Sequence, residues 1–138
     1  MEKPFFSIVI PTFNQAKFLK IALNSINKQT FKNFEIIVID NNSNDSTYKI
    51  IKNFKGKINY KKIKNEGLIA RSRNEGIKLS KGKWICFLDS DDYWLPNKLN
   101  EIEKIIKKKN LDVICHSEHI ILESKEKKKI WNYGPLKI

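Results

Sequence analysis

The sequence predicts an α/β protein built on a mainly parallel, Rossmann-like sheet flanked by helices, and three observations carry that expectation. Short runs of apolar β-formers recur between Phe6 and Leu88. Segments with helical spacing separate them, and most of the runs are continuous rather than alternating, as in strands covered on both faces. Phe6 to Ile10 (FSIVI) is the first run, stopped by Pro11, and Phe34 to Ile39 (FEIIVI) is the second, stopped by Asp40-Asn41-Asn42-Ser43. Between them Phe18, Leu19, Ala22, Leu23 and Ile26 fall on one helical stripe, with Asn14 as a cap and Gln29-Thr30 at the exit. A second helix starts at Asp45 or Ser46, places Tyr48, Ile51 and Phe54 inward, and ends near Gly56. Ile58 to Ile63 alternates apolar and charged residues, which suits a strand nearer an edge. Leu68 to Leu79 reads as a helix and Trp84 to Leu88 as another buried strand. The right-handed crossover rule leaves few arrangements open for this β-α-β-α-β-α-β order.

Beyond Asp92 the pattern changes. Pro96 opens a helix whose stripe is Leu95, Leu99, Ile102 and Ile106, with Glu103 and Lys107 paired at i, i+4 and cations at the exit. Leu111 to Cys115 is expected to be a further strand, and Ile120 to Glu123 with Lys129 to Tyr133 a short β-hairpin near the C-terminus.

Length and composition narrow the function classes. At 138 residues and 16.2 kDa a single domain spanning 1–138 is expected. The apolar runs are far shorter than the ~20 residues of a membrane helix, and Met1-Glu2-Lys3-Pro4 has no secretory signature, so a cytoplasmic location is expected. Cys86 and Cys115 sit in apolar runs without zinc-ligand spacing and read as reduced core thiols. The net charge of +12 raises nucleic acid or an anionic membrane as a partner. A solvated lysine surface explains it more simply, because 25 of the 27 cations are Lys amid abundant Ile and Asn. Trp84 and Phe87 fall in a buried strand rather than among exposed Lys, so nucleic acid is not expected. Against that background Arg71 and Arg73 stand out as planar, bidentate donors only two positions apart.

In an open parallel sheet ligands bind beyond the carboxyl ends of the strands, where the strand order reverses. The residues just after each run are Pro11-Thr12-Phe13-Asn14, Asp40-Asn41-Asn42, Asn65-Glu66-Gly67 and Asp89-Ser90-Asp91-Asp92. The Asp89 to Asp92 cluster has two readings. Crowded carboxylates with oxygen-only ligands suit Mg²⁺ or Mn²⁺ bridging a diphosphate, and an Asp-rich helix cap before Tyr93-Trp94-Leu95-Pro96 needs no ion at all. Arg71 and Arg73, near a helix start, supply the complementary charge. Neither a GxxxxGKS loop nor a GxGxxG fingerprint is present.

The opening FSIVIPTFNQAKFLKIALNSINKQTFKNFEIIVIDNNSNDST and the segment NEGLIARSRNEGIKLSKGKWICFLDSDDYWLPNKL, in that order and spacing, resemble the glycosyltransferase family 2 domain over about residues 5–120. The resemblance implies a GT-A fold, a nucleoside diphosphate sugar donor, often UDP-linked, transfer with inversion, and a divalent cation, Mn²⁺ or Mg²⁺. It places Pro11, Thr12 and Asn14 beside the nucleoside, Asp40 as the acceptor of a hydrogen bond from the base, and Asn42 at the edge of that pocket. Arg73 and Asn74 match the family's Arg-Asn pair, whereas Arg71 has no firm counterpart. Asp89 and Asp91 match its Asp-x-Asp motif, with Asp91 a metal ligand, Asp89 near the ribose or sugar and also a candidate ligand, Ser90 between them in the donor site, and Asp92 behind. An inverting transfer also needs a general base, and none of Glu118, Glu123 and Glu126 falls in a recognisable base motif. His116 and His119 read as structural residues or as a source of a third metal ligand. The chain is therefore expected to be a truncated donor-binding half with a partial acceptor segment over 121–138, acting in cell-wall or polysaccharide synthesis. Its alternative is a donor-binding module that transfers only with a partner or not at all. The expected partners are a UDP-sugar, a glycan or lipid-linked acceptor, an anionic membrane surface touched peripherally at its inner face, and a second copy of the chain.

Overall fold

The computed structural model describes residues 3–109, 111–114, 118–123 and 128–133. The chain divides into two compact units, Met1–Glu101 and Ile102–Ile138. In the first, β1 (Phe6–Thr12), α1 (Ala16–Asn27), β2 (Phe34–Asp40), α2 (Thr47–Lys52), β3 (Ile58–Lys62), α3 (Ile69–Leu79) and β4 (Trp84–Phe87) alternate, and α4 (Lys98–Lys108) runs across the division. In the second, β5 (Glu118–Glu123) and β6 (Lys128–Tyr133) pair antiparallel.

The main sheet is wholly parallel, in the order β3-β2-β1-β4. Right-handed crossovers carry the chain from β1 outward to β2 and β3 with α1 and α2 on one face, then back across the sheet to β4 with α3 on the other. The strand order therefore reverses between β1 and β4. Side chains alternate across the sheet, so Val9, Ile37 and Ile39 form a fully buried cluster on one face, against which Ile63 and Leu79 pack. Gly76 of α3 lies on this cluster: a Cβ there would stand 2.2 Å from Val9 Cγ1, so only glycine lets the helix approach so closely. Helix α1 covers the opposite face with Leu19, Ala22, Leu23 and Ile26, all essentially inaccessible.

The amino end of the sheet is held by a polar clasp. Ser7 Oγ donates to Glu35 Oε1 (2.6 Å), Lys81 N–H donates to the same oxygen (2.6 Å), and Gly82 N–H donates to Ser7 Oγ (2.8 Å). A Cβ on Gly82 would fall 2.7 Å from the backbone of Phe6 and Ser7.

Several sequence expectations are corrected. Strand β1 continues through Pro11 to Thr12. Val9 O accepts from Leu88 N–H, so Val9 and Pro11 face the β4 side, and β4 ends at Phe87 before any ladder bond at Pro11 is needed. Phe18, Tyr48 and Leu95 are about half exposed or more, because each lies beside rather than on its helix's buried stripe or before the helix begins. Strand β4 pairs with β1 alone among the described residues, and its Ile85 and Phe87 are partly exposed rather than buried. Residues 111–114 form no strand, and Cys115 lies outside the described residues. Cys86 is a free thiol whose pKa burial pushes up to about 11.

Candidate active site

The register aligns Thr12 of β1 with Asp40 of β2, so both end at the carboxyl edge side by side. Three residues in left-handed backbone follow the first three strands: Asn14 (φ 50°), Asn42 (φ 55°) and Glu66 (φ 54°). Each turns the chain sharply off the sheet and gathers the loops over its edge.

The loops after β1 and β2 are stitched together. Asn14 N–H donates to Ser43 Oγ (2.9 Å), and Asn44 N–H donates to Asn14 Oδ1 (2.9 Å). Asn14 therefore does not cap α1. That task falls to Asp45, whose Oδ2 accepts from Ala16 N–H (3.0 Å) while Oδ1 accepts from Thr47 N–H (2.9 Å), so one carboxylate serves the first turns of both α1 and α2. Burial tends to raise the Asp45 pKa, but these hydrogen bonds outweigh it and hold the carboxyl below its usual value.

Asp40 itself is 1% exposed. Its Oδ1 accepts from both Ser43 N–H (2.9 Å) and Ser43 O–H (2.5 Å), and its Oδ2 accepts from the Tyr60 hydroxyl on β3 (2.8 Å). Beyond β3, Asn65 joins Asn41 Oδ1 through its N–H (2.8 Å) and Ser72 Oγ through Nδ2 (2.9 Å), which fixes the approach to α3.

Arg73 projects from α3 to the loop after β4. Its Nη2 donates to both Asp89 carboxylate oxygens (2.7 and 3.0 Å), and its guanidinium lies 5.6 Å from the centre of the Phe87 ring. Its Nε is buried without a partner, as is Thr12 Oγ1. Ser90 is buried and donates to Gln15 Oε1 at the start of α1, tying this loop to the one after β1. Asp92 N–H closes a turn onto Asp89 O (3.0 Å), and Asp91 and Asp92 are exposed. The loop is anchored below by Trp94 N–H on Ser25 Oγ (3.1 Å) and by Gln29, which bonds Leu95 O and Leu99 N–H.

Of the residues singled out in the sequence, Pro11, Thr12, Asp40, Arg73, Asp89 and Ser90 thus come to one end of the sheet. Asn42 and Asn74 are exposed, and Arg71 pairs with exposed Glu66 rather than with the Asp cluster. No group of three or more His, Cys, Asp or Glu side chains placed to hold a metal occurs among the described residues. The carboxylates of Asp89, both of whose oxygens accept from Arg73, and of exposed Asp91 are hard oxygen donors of the kind that suit Mg²⁺ or Mn²⁺. The side chains of Glu118, Glu123 and His119, and residues His116 and Glu126, lie outside what is described. Two residues were given no role from the sequence. Phe13 presents a half-exposed ring just beyond β1, and Tyr60 was hidden in a strand read only as an edge.

The model of glycosyl transferase family 2 matches residues 7–137. The chain belongs to glycosyltransferase family 2. Within that family it is 38% identical to the poly(ribitol-phosphate) β-N-acetylglucosaminyltransferase TarP of Staphylococcus aureus over 113 residues, which is 78% of this chain and 35% of TarP. It is 33% identical to the Escherichia coli UDP-Glc:α-D-GlcNAc-diphosphoundecaprenol β-1,3-glucosyltransferase WfgD, covering 88% of this chain and 48% of WfgD. The crystal structure of S. aureus TarS 1–349 in complex with UDP-GlcNAc superposes with a TM-score of 0.68 at 34% identity, over 75% of this chain and 31% of that one. The family 2 chain described here thus spans 31% to 48% of these relatives, and shares the α/β fold of TarS.

Proposed function

We propose that this chain forms the donor-binding half, about residues 5–120, of a glycosyltransferase that uses a UDP-linked sugar. The observation that carries the reading is the convergence at one sheet edge of a buried carboxylate (Asp40), an Arg73–Asp89 pair and exposed Asp91, in a region similar to a structure holding UDP-GlcNAc. In this reading Asp40 accepts a hydrogen bond from the base, Pro11, Thr12 and the Phe13 ring flank the nucleoside, Asn14 and Asn42 shape its loops, and Arg73, Asn74 and Ser90 frame the diphosphate sugar. Asp91 with Asp89 holds Mn²⁺ or Mg²⁺. Bound there, such a cation would supply Lewis-acid stabilisation of the leaving diphosphate, an electrostatic effect of about 3–4 kcal/mol for a comparable stabiliser. Arg73 keeps Asp89 oriented, and the Ser90–Gln15 bond fixes the loop between them.

Inversion at the anomeric carbon requires a base on the acceptor side. The acceptor is a glycan or lipid-linked polymer in cell-wall or polysaccharide synthesis. The names of both relatives specify phosphate-bearing acceptors, which a chain of net charge +12 complements. The same charge supports peripheral contact with an anionic membrane. Because the chain covers 35% of TarP, a second reading assigns it donor binding with the base supplied by residues elsewhere.

Calorimetric titration of UDP with and without Mn²⁺ tests the proposal. Metal-dependent binding that Asp91→Ala abolishes is expected, and binding indifferent to Mn²⁺ and to Asp91 would overturn the metal assignment.

A further inference from the structure

The carboxylate assigned to the base is already engaged by the protein. Asp40 is 1% exposed, and the donor on its Oδ2 is the Tyr60 hydroxyl at 2.8 Å. A base N–H cannot reach an oxygen sealed in this way without moving what covers it. The two side chains bonded to the carboxylate differ in how readily they can leave. Ser43 holds Oδ1 through its backbone N–H as well as its hydroxyl, and its Oγ is locked in turn by Asn14 N–H. Tyr60 is tied to Asp40 by one hydroxyl, stands on β3 at the sheet edge, and has its ring against Tyr48, whose own side chain is 57% exposed.

We infer that Tyr60 is a stand-in for the base: its hydroxyl occupies the hydrogen-bond position on Asp40 that the donor's base N–H takes over, so that donor binding displaces Tyr60 and Tyr60 sets the affinity of the site. The inference rests on the reading of Asp40 as the base acceptor. The logic is an exchange of equivalent bonds. A buried carboxylate oxygen left without a donor is costly, so the empty site keeps one of its own. The base must release that donor before it gains its own bond, and its apparent affinity falls by the fraction of molecules in which Tyr60 has swung away. A base with an N–H at the reading position, such as uracil, replaces the lost bond. Cytosine offers a lone pair there and does not. Tyr48 gives the displaced ring an exposed aromatic neighbour to slide along.

The test uses UDP and CDP, each with Mn²⁺, titrated into the wild-type chain and Tyr60→Phe, with thermal melts of both ligand-free proteins. Removing the hydroxyl removes the competitor, so Tyr60→Phe is expected to bind UDP about three- to tenfold tighter while melting at a lower temperature. A residue that merely supports the fold gives the lower melting point with equal or weaker binding, and that result would overturn the inference. Wild-type protein that binds CDP as tightly as UDP, or binds neither, overturns the underlying reading of Asp40 instead. In the wild-type chain with labelled tyrosine rings, the Tyr60 resonance is expected to shift with UDP and to stay in place with inorganic pyrophosphate, which has no base. An unmoved signal under saturating UDP counts against displacement whatever the variant does.

Discussion

Arg73 shows how much one side chain is asked to do at this site. It binds both oxygens of Asp89, lies over Phe87, and keeps a buried Nε without a protein partner. A lysine can replace the charge but neither the planar contact with the ring nor the second nitrogen. Arg73→Lys is therefore expected to weaken UDP binding about tenfold, roughly 1.4 kcal/mol, with little change in thermal stability, since the pair with Asp89 is partly exposed. Calorimetry of the variant beside a melting curve checks both halves. The pairing of Arg73 with the loop after β4 was partly legible, because two arginines in a lysine-rich chain and an Asp cluster after an apolar run are compositional outliers, yet only Arg73 meets that cluster while Arg71 pairs with Glu66. Tyr60 was not legible. Tyrosine is an ordinary residue of an edge strand, and what distinguishes it is a partner on the neighbouring strand that only the register brings within reach.

At the scale of elements, the β1–α1 and β2–α2 turns behave as one unit, because Asp45 terminates the first turns of both helices. Asp45→Ala is expected to destabilise the fold by about 1–2 kcal/mol in urea unfolding, at the upper end for a lost cap because two helix starts lose a partner. Since the folded-state pKa of Asp45 is lowered, this contribution is complete above the unfolded-state value and disappears as pH falls through the folded one. The gap between wild type and variant should narrow toward acid pH, and a gap that widens would sink the assignment. Helix α3 sets a different constraint at Gly76, where an added methyl group meets Val9, a branched core residue with nowhere to go. Gly76→Ala is expected to cost about 1–3 kcal/mol despite the better helix propensity of alanine, as thermal or urea melts can show. The seven alternating elements from β1 to β4 were readable from apolar runs and spacing, whereas the strand expected over 111–115 is not formed over 111–114. The extension of β1 through Pro11 and the exposure of Phe18 and Tyr48 were not readable, because each depends on which neighbour a strand or helix has at that level rather than on its own residues.

For the whole molecule, charge is the distinctive property. Lysines crowd the helices and β3, while several of the acidic residues are engaged within the fold, Asp40, Asp45 and Asp89 among them. The chain is expected to sediment with vesicles containing anionic lipid and to be released as salt rises from low to physiological concentration, where exposed charges lose most of their reach. Equal sedimentation with neutral vesicles would remove the membrane from its partners. Among the described residues no helix is long and apolar enough to cross a bilayer.

The sheet order has a further consequence, for the way the protein is made. Strand β1 is central, yet one of its neighbours, β4, is the last strand of the sheet in the chain. A growing polypeptide can pair β1 with β2, and β2 with β3, early, but Phe6 to Val9 keep an open edge until Trp84 to Phe87 leave the ribosome. During that interval the nascent chain offers a template to any other strand. Ribosome-bound intermediates arrested before Trp84 are thus the species most in need of a chaperone, and those arrested well beyond Leu88 the first able to close the sheet.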